Sequence, residues 1–224
     1  MLPLRKRLAA EAIGTFALVF AGTAAVVVNA TGAVSHVGVA LTFGLVVFAL
    51  IAALGDVSGA HLNPAVTLAF RLARRFPGRE VLPYAAAQCA GALAASLTVR
   101  ALFPDAVSLG GTAPSGPESQ TWVLELMLTA GLMFVILGVS TGAKEKGITA
   151  GLAIGGVVAL EALFAGPVSG ASMNPARSLG PALVAGQLGG LWLYLTAPVV
   201  GAALAVPACR CVRETGCCSA TAPE

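Results

Sequence analysis

Charge is scarce in this chain of 224 residues. Asp, Glu, Lys and Arg make up 10% of it, against about 25% in an ordinary globular domain. That scarcity excludes a soluble domain, and no nucleic-acid partner is expected. Histidine occurs twice, as His36 and His61, both in or beside loops. The sequence has no nucleotide-binding motif and no cluster of carboxylates of the kind that carries a coupling ion. Nor does it group a nucleophile with an acid and a base. These absences count against an active transporter and against an enzyme, and no cofactor is expected. Four of the five cysteines, Cys209, Cys211, Cys217 and Cys218, crowd towards the C-terminus without paired CxxC spacing.

What is abundant is apolar surface: 57% of the residues are hydrophobic. The length allows six or seven spans of about 20 residues each, which makes an all-α membrane protein. Residues 2–7 form a short basic start. The run that follows carries Glu11 and outlasts a signal-peptide core, so no cleaved leader is expected. Spans are expected at 8–28, 37–54, 81–102, 122–140, 148–165 and 190–207. Two apolar stretches, 63–73 and 174–185, are too short to cross a bilayer and read as half-helices. One channel domain over 1–207 is expected, followed by a cytoplasmic tail over 208–224.

Each short stretch opens on the same words. Gly59-Ala60-His61-Leu62-Asn63-Pro64-Ala65 is answered by Gly170-Ala171-Ser172-Met173-Asn174-Pro175-Ala176. Asn suits a helix N-cap and Pro the first helical position, where its missing N–H has no partner to lose. The two Asn residues are 111 positions apart, and Glu11-xxx-Thr15 recurs as Glu125-xxx-Thr129. Three spans per half is an odd number, so the halves, about 8–102 and 122–207, form an inverted repeat. The two half-helix N-termini then meet near the midplane, each with roughly half a positive charge. The leftover NH₂ of each Asn points ahead of its helix. Such a focus donates hydrogen bonds to a passing hydroxyl and repels cations, so it suits a passive pore for water and small neutral solutes that excludes protons and ions. Glu11 and Glu125 are expected to support the re-entrant loops by accepting their backbone N–H groups, and His61 is expected to join that loop support and is a pore-lining candidate. Arg5, Lys6, Arg7, Arg71, Arg74, Arg75, Arg79, Lys144, Lys146, Arg210 and Arg213 fall on one side, which makes both termini cytoplasmic.

These motifs resemble the aquaporins, the major intrinsic protein family, over about residues 8–207. The resemblance implies six spans plus two half-helices, a homotetramer with one pore per subunit, and a plasma-membrane location. It implies that Asn63, Pro64, Ala65, Asn174, Pro175 and Ala176 form the pore motifs. By spacing from those motifs, Phe43, Ala162, Ala171 and Arg177 take the four positions of the family's selectivity filter. A strict water filter carries His where this chain has Ala162, so a wider opening is expected. The stretch from Gly166 to Pro181 is similar to the nodulin-like branch, which implies glycerol-like polyols, arsenous acid and other metalloid hydroxides as solutes besides water. Ser178 resembles the water channels instead, and a strict water channel is the alternative. Asp56 departs from the His common at that loop.

Two features stay open at the level of sequence. Glu161, beside Ala162, is placed to pair with Arg177 or Arg100, or to face a wet outer vestibule. The cysteines Cys209, Cys211, Cys217 and Cys218 suit a thiophilic ion such as Zn²⁺, Cu⁺ or trivalent arsenic. They equally suit a tail that binds no metal or carries a lipid.

Overall fold

The computed structural model describes residues 2–140 and 148–212. Among them are eight α-helices: α1 (Leu4–Asn29), α2 (His36–Ser58), α3 (Pro64–Leu72), α4 (Val81–Leu102), α5 (Glu118–Val139), α6 (Ile148–Ser169), α7 (Pro175–Ala185) and α8 (Leu191–Val212). Six of them are long and apolar enough to cross a membrane. The exceptions, α3 and α7, are the two expected half-helices, with 9 and 11 residues.

Local chemistry sets most boundaries. The Ser35 hydroxyl accepts from Gly38 N at 3.2 Å and starts α2. Left-handed Gly59 ends α2, and left-handed Gly186 ends α7. Three helices run four or five residues past their expected C-terminal ends (54, 165 and 207), while α1 and α5 each begin four residues early. α2 continues through the polar Gly55-Asp56 to Ser58, α6 runs through Pro167 to Ser169, and α8 runs through Pro207 to Val212. A proline removes one helical hydrogen bond, but neighbouring helices can resupply the freed carbonyl, so it need not end a helix in a packed membrane bundle.

The helix contacts obey a twofold relation. α1 packs on α4 and on α2, as α5 packs on α8 and on α6; α7 lies against α4, as α3 lies against α8. α2 and α6 pack on each other across the relation. Two glycines allow the closest crossings: a Cβ on Gly91 would strike the Ala12 carbonyl oxygen, and one on Gly201 would strike that of Leu126. The core cluster gathers between the halves, with Leu62, Ala65 and Ala69 from the first meeting Met133, Met173 and Ala205 from the second.

At one end Arg7, at the start of α1, pairs with Glu80 just before α4 (Nη2 to Oε1, 2.8 Å), and both are buried. Tyr84 then donates to Ser58 O at 3.0 Å and joins the end of α2 to the same cluster. At the opposite end the loop after α4 closes over the bundle: Ser115 N and Oγ both donate to Val168 O, at 3.0 and 2.9 Å.

Candidate functional site

The loops leading into α3 and α7 share an unusual backbone. Gly59, Ala60 and Leu62 have φ of 89°, 46° and 51°, and Gly170, Ala171 and Met173 have 85°, 42° and 53°. Left-handed φ at a non-glycine residue costs roughly 1–2 kcal/mol and persists only where its surroundings over-determine it. Here the two buried glutamates provide that determination.

Glu11 Oε1 accepts from Ser58 Oγ at 2.7 Å and His61 N at 3.0 Å, and Oε2 accepts from Leu62 N at 2.7 Å and Gln88 Nε2 at 2.8 Å. Glu125 repeats the first three bonds with Ser169 Oγ, Ser172 N and Met173 N at 2.7, 2.9 and 2.8 Å. Both carboxylates are fully buried. The serines pass the support on, since Ala60 N donates to Ser58 Oγ and Ala171 N to Ser169 Oγ, each at 3.1 Å. Tyr194 OH donates to Ser169 O at 2.6 Å, as Tyr84 does to Ser58 O.

Each Asn does two jobs. Asn63 Oδ1 caps α3 by accepting from Ala65 N at 2.9 Å, and Asn174 Oδ1 caps α7 by accepting from Ala176 N at 3.0 Å. Pro64 and Pro175 take the first helical positions, and Ala65 and Ala176 are fully buried beside them. The side-chain amides cross over: Asn63 Nδ2 donates to Met173 O at 2.7 Å, and Asn174 Nδ2 donates to Leu62 O at 2.8 Å. Sequence reasoning left both NH₂ groups free. In the structure one N–H of each ties the half-helices together, and one remains for a ligand.

Both Asn residues line a cavity of about 650 Å³. Its walls are two stripes of every fourth residue, Phe43-Val47-Ile51-Gly55 on α2 and Ala150-Ile154-Val158-Ala162 on α6, as one face of a helix requires. His61 lines it too, with its ring stacked on Phe70 at 4.7 Å and its Nδ1 3.1 Å from Thr67 Oγ1. Phe43, Ala162, Ala171 and Arg177 all face this same cavity. The Arg177 guanidinium lies 5.1 Å from the Phe43 ring centroid. Its Nε and Nη1 are buried and make no hydrogen bond within the described chain. The twofold relation maps these four positions, 111 residues apart, onto Ile154, Ile51, Ala60 and Val66, which also line the cavity. One end of the passage therefore carries a fixed charge where the other carries Val66.

Other expectations meet a different outcome. Glu161 forms no ion pair with Arg177 or Arg100: Oε2 is buried without a partner, and Oε1 lies against Gly131 of α5. Arg100 instead donates to Pro104 O and Ala106 O at 3.1 and 3.0 Å. Cys209 is not a tail thiol. It is buried in the extended α8, in the same core cluster as Ala69 and Ala73, whereas Cys211 is exposed. Cys217 and Cys218, like Lys144, Lys146 and Arg213, lie outside the described residues. Among those described, no group of His, Cys, Asp and Glu is arranged to hold a metal.

Sequence reasoning missed the supporting residues Ser58, Ser169, Tyr84, Tyr194 and Gln88, and the Arg7–Glu80 pair. A signal was present for four of them: the serines recur 111 positions apart and the tyrosines 110, in step with the Asn pair.

Comparison with known proteins places this geometry. A family profile described as major intrinsic protein matches residues 2–208. The chain is 49% identical over 213 residues to Aquaporin NIP1-3 of Oryza sativa subsp. japonica, covering 94% of this chain and 74% of that protein. It is 48% identical over 203 residues to Nodulin-26 of Glycine max, covering 89% and 75%. Among solved structures, the aquaglyceroporin from Plasmodium falciparum superposes with a TM-score of 0.84 at 26% identity, covering 92% of this chain and 95% of that one.

Proposed function

The chain belongs to the major intrinsic protein family, and from that premise we propose a route and a solute class for it. It is a multi-pass membrane protein with the aquaporin fold, and a channel for water and small neutral solutes. The route is the cavity between α2 and α6. Solutes pass Phe43, Ala162, Ala171 and Arg177, then the free N–H groups of Asn63 and Asn174.

One observation carries the solute assignment. Arg177 presents buried, unpartnered donors over the Phe43 ring, while the positions lined by Ala162 and Ala171 hold only methyl groups. Donors on one wall and an apolar face on another suit a compact molecule with several hydroxyls. Small polyols such as glycerol fit that description, as does undissociated arsenous acid. Both are neutral, so neither is repelled by Arg177 or by the helix N-termini. The channel is passive, and cations meet a positive focus at the midplane.

The chain works as a homotetramer in the plasma membrane with both termini cytoplasmic. The clustering of Arg5, Lys6, Arg71, Arg74, Arg79 and Arg210 at one end supports that orientation. The deciding assay is parallel uptake of water, glycerol and arsenite into cells lacking their own channels. Glycerol and arsenite should both enter well above the empty-vector rate, and Ala162→His should suppress them more than it suppresses water. Water flux with neither glycerol nor arsenite entry would make this a strict water channel and overturn the solute assignment.

A further inference from the structure

Pro167 sits inside α6 and has no N–H, so the carbonyl of Leu163, four residues back, loses its ordinary helical donor. His36, at the start of α2, supplies a replacement: its Nε2 lies 2.8 Å from Leu163 O. A carbonyl can only accept, so this nitrogen carries the proton. Position 166 is shaped for the ring, because a Cβ on Gly166 would come within 2.8 Å of His36 Cε1.

The bond's position matters more than its existence. α2 and α6 also touch at Gly44 and Gly155, where a Cβ on either would strike the other's carbonyl oxygen. From that crossing to the His36–Leu163 bond is eight residues on each helix, about 12 Å. The two filter residues carried by these helices fall within this interval. Phe43 is next to the crossing, and Ala162 is next to Leu163. The glycines hold the two helices in close contact at one point, and the imidazole bonds across them eight residues further on.

We propose that His36 is a positioning residue that sets the width of the outer constriction by tying α6 to α2 through the Leu163 carbonyl. This rests on the assignment of Phe43, Ala162, Ala171 and Arg177 as the filter. Without the tie, Leu163 O has no fixed donor, the outer turn of α6 loosens, and Ala162 recedes from the opposite wall.

The test uses the purified full chain in proteoliposomes and the ratio of erythritol to glycerol permeability. His36→Ala should raise the ratio about threefold, the scale of one net hydrogen bond. Gly166→Ala, which crowds the ring from the other helix, should raise it similarly, and His36→Gln, which keeps a donor, should hold it near wild type. Pro167→Ala returns an N–H to the helix, so in that background His36→Ala should be silent. A merely structural role for His36 would not be cancelled in this way. An equal ratio in wild type, His36→Ala and Gly166→Ala would overturn the tie, as would an undiminished effect in the Pro167→Ala background. Ala162→Trp separates the two levels of the argument. Blocked glycerol flux in it with no effect of His36→Ala sinks the tie alone, whereas intact glycerol flux in it sinks the filter assignment and the tie with it.

Discussion

At the residue scale, the two buried glutamates share one role but not one environment. Glu11 accepts four hydrogen bonds and Glu125 three; the difference is Gln88 Nε2, whose counterpart position in the second half is Pro198. Replacing either by Ala orphans loop N–H groups at about 1–3 kcal/mol per buried donor. Glu11→Ala strands one donor more and should destabilise the purified protein further than Glu125→Ala. Thermal unfolding of both variants in detergent checks the order, and equal losses would mean that Gln88 contributes nothing. Ala171 gives a second handle. It faces the cavity and carries no thiol, so mercurials should act weakly on the wild type, while Ala171→Cys should be blocked. Osmotic swelling with and without mercuric chloride reads this directly. Strong block of the wild type that survives both Cys89→Ser and removal of the C-terminal cysteines would contradict the placement of Ala171. Arg177→Val removes the fixed charge opposite Phe43, and should admit larger solutes and raise cation leak. Unchanged selectivity in solute-uptake and ion-flux assays would remove Arg177 from the filter.

Among the elements, the half-helices were the most legible in the sequence because their start signals are local. Asn followed by Pro caps a helix wherever it stands, and α3 and α7 begin where the motif says. Helix ends at proline were less legible. The expected spans end at 165 and 207, yet α6 and α8 continue through Pro167 and past Pro207, and for Pro167 the replacement donor, His36, is 127 residues from the carbonyl it serves. No local pattern encodes a bond of that span. The fate of the Asn amides was hidden for the same reason, since each binds a carbonyl of the other half. Helix crossings add a testable contrast. Gly91→Ala and Gly201→Ala put a methyl into a carbonyl of the facing helix, which should cost about 1–3 kcal/mol or more by overpacking. Gly156→Ala meets open space and should be tolerated. Yield of monodisperse protein on size-exclusion chromatography should separate the first two variants from the third.

For the whole molecule, the inverted repeat accounts for how the site is assembled. A single half supplies one capped half-helix, one supporting glutamate and one apolar stripe. Two halves, related by a twofold relation, bring two positive helix ends to one place and line the passage from both sides. The repeat itself was readable from the offsets of Glu11 and Glu125 and of Asn63 and Asn174. Where the halves differ, the passage becomes asymmetric, since Arg177 has Val66 as its counterpart and Ala162 has Ile51, which puts the fixed charge at one end only. The central claim is that this passage carries neutral hydroxylic molecules while holding back protons. It is tested most directly by reconstituting the full chain in proteoliposomes loaded with a pH-sensitive dye, and recording osmotic shrinkage and internal pH in the same stopped-flow experiment. Fast shrinkage at both zero and imposed ion gradients, with internal pH collapsing no faster than in empty vesicles, is the predicted result. Proton flux that rises in step with water flux, or shrinkage that requires a second ion, would contradict it.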